Sequence, residues 1–128
     1  MLVLFRHNAK KYAYDTVGGS LTPLTALQYR MLEALEPPMP PVCPTALRYE
    51  LAKYDAADVE EAYDELYEKA ANGVIFLPNA PTLCVPEAQE PLQRAALQAA
   101  AERLTAPVSV TGNGVALARE ILGGKAAD

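Results

Sequence analysis

A chain of 128 residues, 51% hydrophobic and 21% charged, can bury the core of one compact domain, or of a small domain with an extension, without disulfides or a structural metal. The net charge of −5 works against nucleic-acid binding, because phosphate contacts need a basic surface. Cys43 and Cys84 stand far apart with no Cys-x-x-Cys spacing and are expected as free thiols in a reducing compartment.

The opening run Met1–Phe5 stops at Arg6, too short for a signal-peptide core or a membrane span, so a cytoplasmic location without membrane attachment is expected. Val3–Arg6 predicts a first strand. His7-Asn8-Ala9-Lys10 follows as a polar turn, and Lys11–Asp15 predicts a second strand with Tyr12 and Tyr14 on one face. Gly18-Gly19 marks a tight turn. Ser20–Leu24 then alternates polar with apolar or proline residues, as a short third strand would. Pro23 has no N–H to give a ladder, which places this strand at an edge where another chain can add.

Helical spacing begins with Leu24, Leu27, Met31, Leu32 and Leu35, with Thr22 or Thr25 as the cap. The proline run Pro37–Pro41 ends this helix and reads as a stiff spacer rather than an SH3-type ligand. A second short helix is expected from about Thr45, with Leu47, Leu51 and Tyr54 on one stripe. The third helix is bounded by Asp55 as cap and Asn72-Gly73 as a left-handed stop, with Val59, Ala62, Tyr63, Leu66 and Ala70 as its apolar face. Val74–Leu77 reads as a short strand or an extended tail, closed by Pro78-Asn79-Ala80-Pro81.

That proline-flanked stretch divides the chain into residues 1–77 and 78–128. Beyond it come an apolar run at Leu83–Val85, an amphipathic helix over Glu90–Leu104, a β-branched run at Val108–Val110 and a helix over Val115–Leu122. Such a βαβα fragment needs neighbours to complete a parallel sheet. The expected fold is therefore α+β: a winged helix-turn-helix-like unit with a three-stranded antiparallel sheet and three helices, followed by a small βαβα extension.

Charge is concentrated in one place. Asp55 to Gly73 holds seven acids against Lys69 alone, a net of −6 that leaves the rest of the chain at +1. In a DNA-reading winged helix the third helix enters the major groove, and this one would be repelled. It reads either as a solvated face or as an acidic wall.

The run FRHNAKKYAYDTVGGSLTPLTALQYRMLEAL, followed by KYDAADVEEAYDELYEKAANGVIF, resembles the RiPP recognition element, the PqqD-like domain that binds leader peptides of ribosomal natural-product precursors. The closest variety precedes radical-SAM maturases of the six-cysteines-in-forty-five peptide class. The resemblance covers residues 1–77 and implies a non-catalytic peptide-binding module whose leader adds as a strand to the third strand and packs on the third helix. Carried over, Gly19, Ser20, Leu21, Thr22 and Leu24 form the docking edge, and Val59, Tyr63, Leu66 and Tyr67 the groove wall. Tyr63 and Leu66 also fit a plain core role, which leaves Tyr67 as the better groove residue. Glu60 and Asp64 add an acidic flank suited to a peptide carrying Lys or Arg.

Residues 108–117 are similar to the strand and Thr-Thr-Asn-Gly turn of a radical-SAM barrel, which suggests a barrel remnant. Three closely spaced cysteines must hold that cluster, and only Cys84 lies in this half, so no independent radical-SAM activity is expected. No cofactor or metal is expected either, since His7 is the only histidine. Nothing in sequence joins it to Cys43 as a nucleophile pair. Gly112-Asn113-Gly114 lacks the rest of a phosphate-binding motif and reads as a turn. The expected partners are a leader peptide, a radical-SAM maturase, and a second copy or another subunit docked through residues 78–128. Two rival readings are a winged-helix DNA-binding regulator and a structural partner subunit. The second predicts that the chain itself covers the edge from Gly19 to Leu24.

Overall fold

A computed structural model describes residues 1–78 and 80–127. Strands β1 (Leu2–His7), β2 (Lys10–Asp15) and β3 (Leu21–Leu24) form an antiparallel sheet in that order. Helices α1 (Ala26–Ala34), α2 (Thr45–Glu50) and α3 (Ala56–Ala71) follow. The second part of the chain is β4 (Thr82–Cys84), α4 (Glu90–Arg103), β5 (Val108–Thr111), α5 (Val115–Leu122), a 3-10 turn at Gly123–Lys125 and β6 (Ala126–Ala127). The fold is α+β with the winged-helix order of elements and a parallel βαβαβ extension.

The β1–β2 connection is a two-residue loop, with Asn8 at φ 49° and Ala9 at φ 64°. Positive φ at both central positions is the hairpin turn whose twist matches that of the flanking strands. It fixes the pairing from His7↔Lys10 to Leu2↔Asp15. The two faces of the sheet then follow from the period of two. Val3, Phe5, Tyr12 and Tyr14 point one way, with the Phe5 and Tyr12 rings stacked at 5.5 Å. Leu2, Leu4 and Ala13 point the other way.

Each face has its own core. Ala13 joins Met31, Leu32, Leu47, Val59, Tyr63 and Leu66 beneath the three helices. Val3, Phe5 and Tyr14 join Leu83, Val85, Leu97, Val108 and Leu122 beneath the extension. Residues 82–127 therefore cover the second face of the sheet. The small side chains of Ala96 and Ala100, both fully buried, let α4 come close to β1. Among the described residues two polar links join the halves: Tyr14 donates its hydroxyl to the Cys84 carbonyl at 2.6 Å, and the Cys84 N–H donates to the Thr16 carbonyl at 2.7 Å.

Local signals account for the helix ends. Thr25 and Gln28 form a reciprocal capping box at α1, and Asp55 caps α3 through the Ala57 N–H. Gly73 turns the chain out of α3 at φ 72°. Leu24 ends β3 rather than starting α1. Val74–Leu77 forms no strand; Ile75 is buried there and Phe76 sits at φ 58°, a strained setting for an aromatic residue. The parallel sheet runs β4-β5-β6, so the chain supplies a third strand that the apolar pattern of residues 82–122 does not announce.

Candidate peptide-binding edge

The turn leading into β3 is built around Asp15, which is fully buried. Its Oδ1 accepts from the Val17 and Gly18 N–H groups at 3.0 and 3.3 Å, and its Oδ2 from the Leu77 N–H at 3.1 Å. One carboxylate thus ties the end of β2, the hairpin turn and the segment after α3 together. Gly19 has φ +77°, and a Cβ placed there would come 2.7 Å from the Cys84 sulfur. Both its conformation and its close approach require glycine. Ser20 donates its hydroxyl to the Val74 carbonyl at 2.5 Å.

Beyond Ser20 the strand is an edge. The Asp15 N–H donates to the Ser20 carbonyl at 3.1 Å, which makes Asp15–Ser20 a hydrogen-bonded pair. Antiparallel pairs alternate, so Ala13–Thr22 and Lys11–Leu24 are also bonded, whereas Tyr14–Leu21 and Tyr12–Pro23 are not. The backbone of Thr22 and Leu24 is directed at β2. The outer side of β3 offers the N–H and carbonyl of Leu21 and the carbonyl of Pro23, which has no N–H. A guest strand would meet a single donor, and the proline blunts the rest of the edge.

The side chains divide accordingly. Thr22 and Leu24 lie on the helical face, Thr22 buried and Leu24 packed on the helical core; Leu21 packs on the other core. The helix set most closely on β3 is α1. The groove wall implied by the third helix is largely closed. Val59 is 4% and Tyr63 1% exposed, both in the helical core, and the Tyr63 hydroxyl donates to the Pro40 carbonyl. Leu66 is core as well. Glu60 is exposed and paired with Arg48 at 3.1 Å, an arrangement worth at most about 1 kcal/mol at such exposure. Asp64 is exposed near the same surface, where Val42 and Cys43 of the connector approach α3. Tyr67 is half-buried and lines a cavity of about 470 Å³ with Pro37, Pro38, Met39 and Phe76. Leu21, Thr22 and Leu24 are therefore together at the edge, Gly19 and Ser20 are covered by Cys84 and Val74, and the α3 residues face α2 and the proline connector. The pattern misses this because the apolar spacing of α3 shows which side is buried but not which neighbour covers it.

Burial pushes the Tyr14 hydroxyl well above the ordinary phenol range, reinforced by nearby Cys84 and Asp15. It pushes the Tyr63 hydroxyl up as well, followed by the influence of Cys43 and Tyr67. Burial also raises the Cys43 thiol, outweighing Arg48, so this sulfur stays protonated at neutral pH and is a poor nucleophile. Gly112 and Gly114 pack on Val85 and Gln93, and Gln93 donates to the Pro86 carbonyl at 2.9 Å, which holds this loop as an internal turn. Among the described residues no group of three or more His, Cys, Asp or Glu side chains could hold a metal ion. No helix there is long and apolar enough to cross a membrane. No protein-family model, curated protein or solved structure matches the chain.

Proposed function

We propose that this chain is a non-catalytic binding module that captures an extended peptide by strand addition to β3. The peptide would be the leader of a ribosomally made precursor, which the module presents to a separate radical-SAM maturase. The observation carrying this reading is that, among the described residues, β3 pairs with β2 alone and leaves the Leu21 N–H and carbonyl and the Pro23 carbonyl on its outer side. The residues engaged are Leu21, Thr22 and Leu24 at the edge, with Tyr67 and the acids Glu60 and Asp64 reserved for peptide that continues past it. Each added ladder bond contributes about 0.5–1.5 kcal/mol, so so short an edge gives modest affinity and leaves selectivity to side chains. Catalysis would be served by proximity, since a tethered substrate reaches the enzyme at raised effective concentration.

The structural-partner reading draws some support from Cys84 and Val74, which cover Gly19 and Ser20. One experiment separates the two. A displayed library of random extended peptides is panned on the protein, and the enriched sequences are titrated against the wild type and Leu21→Pro. Loss of about tenfold or more in affinity with an unchanged circular-dichroism spectrum supports capture at β3. Unchanged affinity, or no enriched peptide at all, favours the structural partner. The regulator reading predicts tight binding to duplex DNA at low salt; the seven acids between Asp55 and Gly73 argue against it.

A further inference from the structure

Helix α2 is apolar on two sides. Leu47 and Leu51 face the helical core, while Thr45, Arg48, Tyr49 and Ala52, spaced as one stripe of a helix, are exposed. Tyr49 is 78% exposed and Val42, just before the helix, 66%; among the described residues they are the two large apolar side chains left in solvent. Three cavities meet at Arg48. One of about 340 Å³ is lined by Thr45, Tyr49 and Ala52, one of about 150 Å³ reaches Tyr54 and Val59, and one of about 160 Å³ reaches Val42, Glu60 and Asp64. From Val42 to Asp64, which covers α2 and the half of α3 facing it, Arg48 and Lys53 stand against Glu50, Asp55, Asp58, Glu60, Glu61 and Asp64, a net of −4. Arg48 is held by Glu60, and Lys53 lies over the Tyr54 ring at 5.3 Å. Among the described residues the other five acids have no cationic partner.

We infer that this face of α2 takes the part of the captured peptide that lies beyond the strand on β3, through one large apolar side chain set against Tyr49 and Ala52 and a Lys or Arg directed at Asp64; the inference rests on the peptide-capture reading. Three features select that occupant. An exposed aromatic beside a cavity is where an apolar anchor gains most on burial. The net of −4 around it favours a cation and repels anionic polymers and lipid surfaces. The reach also fits. The N-terminal end of α3 lies against α2, and the chain leaving its C-terminal end is bonded to β3 through Ser20 and Val74. The span is therefore about the length of α3, 16 residues or roughly 24 Å. A second contact there supplies the affinity that the short β3 edge lacks. A second copy offers no matching helix, because α1, α4 and α5 each carry as many acids as bases. Its one basic run, Arg6 to Lys11, lies on the β1–β2 hairpin.

The probe is a blocked peptide with a strand segment of alternating valine and threonine, a Gly-Ser linker of about fifteen residues, whose root-mean-square length of roughly 21 Å suits that span, and a tail of Lys-Leu-Phe-Arg. Its twin carries glutamate for both cations. Binding to the whole chain is followed by nuclear magnetic resonance. The cationic probe is expected to slow amide exchange at Leu21, to move the resonances of Tyr49 and Ala52, and to bind about tenfold more tightly than its twin. Tyr49→Ser, a change at an exposed side chain that should leave the urea midpoint unaltered, is expected to remove that tenfold advantage while Leu21 stays protected. Asp64→Lys should reduce or invert the preference between the twins. Protection at Leu21 with Tyr49 and Ala52 unmoved would overturn the inference and leave capture at β3 standing. Movement at Tyr49 without protection at Leu21 would refute capture at β3 and, with it, the two-point grip; a response at neither would sink both. Equal affinity for the twins would refute the charge assignment. Self-association of the free protein that moves Tyr49 and disappears in Lys10→Glu would give this face to a second copy instead.

Discussion

Leu21 and Thr22 are neighbours in β3 with opposite backbone roles. The Thr22 N–H bonds to β2, so Thr22→Pro breaks the ladder; the Leu21 N–H faces outward, so Leu21→Pro keeps the ladder and removes the donor offered to a guest, together with the packing of the half-buried Leu21 side chain. Thr22→Pro is expected to lower stability by at least about 1–3 kcal/mol. Leu21→Pro should cost less, only the partial burial of one leucine side chain, and denaturant titration measures both. Equal losses would mean that the pairing phase of the strand is misassigned. Tyr14 gives a pH prediction. Its hydroxyl ionises only far above the ordinary range in the folded chain, whereas in the unfolded chain it ionises near pH 10. Above that pH the unfolded state releases a proton that the folded state retains, so stability falls as pH rises through the alkaline range. Tyr14→Phe should flatten this alkaline fall and, by leaving the Cys84 carbonyl without its partner, cost about 1 kcal/mol at neutral pH. An alkaline slope as steep as that of the wild type would contradict the assignment.

At the scale of elements, what could be read in advance was whatever depends on near neighbours in the chain. Thr25, Asp55 and Gly73 mark helix ends by their own chemistry, and the alternation of Tyr12 and Tyr14 marks a strand, so the order of the first six elements and the edge position of β3 were legible. The facing of α3 was not, because Val59 and Tyr63 have the same spacing whether a peptide or the proline connector lies opposite them. Asp15 looked like the end of a strand; its role as a hub needs Leu77, whose amide is distant in sequence. The packing of α4 on β1 rests on Ala96, Leu97 and Ala100, all fully buried. Leu97→Ala should cost about 2–5 kcal/mol, read from the urea midpoint. A loss below about 0.5 kcal/mol would show that α4 does not form part of that core.

For the whole molecule, the middle layer is shared. Val3, Phe5 and Tyr14 belong to the core under the extension, while Ala13 of the same sheet belongs to the core under the helices. The break at residues 77 and 78 divides the chain in sequence, yet the two cores meet across one sheet. Unfolding is therefore expected as one cooperative transition, with Leu97→Ala lowering the global protection of amides in α1 and α3 as well as in α4. Two separate transitions would show instead that the halves are energetically independent. The same layering leaves the sheet edge at β3 as a place where backbone groups remain for a partner.

The most direct measurement of the central claim is residue-resolved amide hydrogen exchange with and without a peptide selected from the displayed library. In the free protein Leu21 should exchange fast while Thr22 and Leu24 are protected by β2, and the peptide should bring Leu21 to a comparable level of protection. A Leu21 amide that is already slow without peptide, or one that stays fast while the peptide is bound, would contradict strand addition at β3.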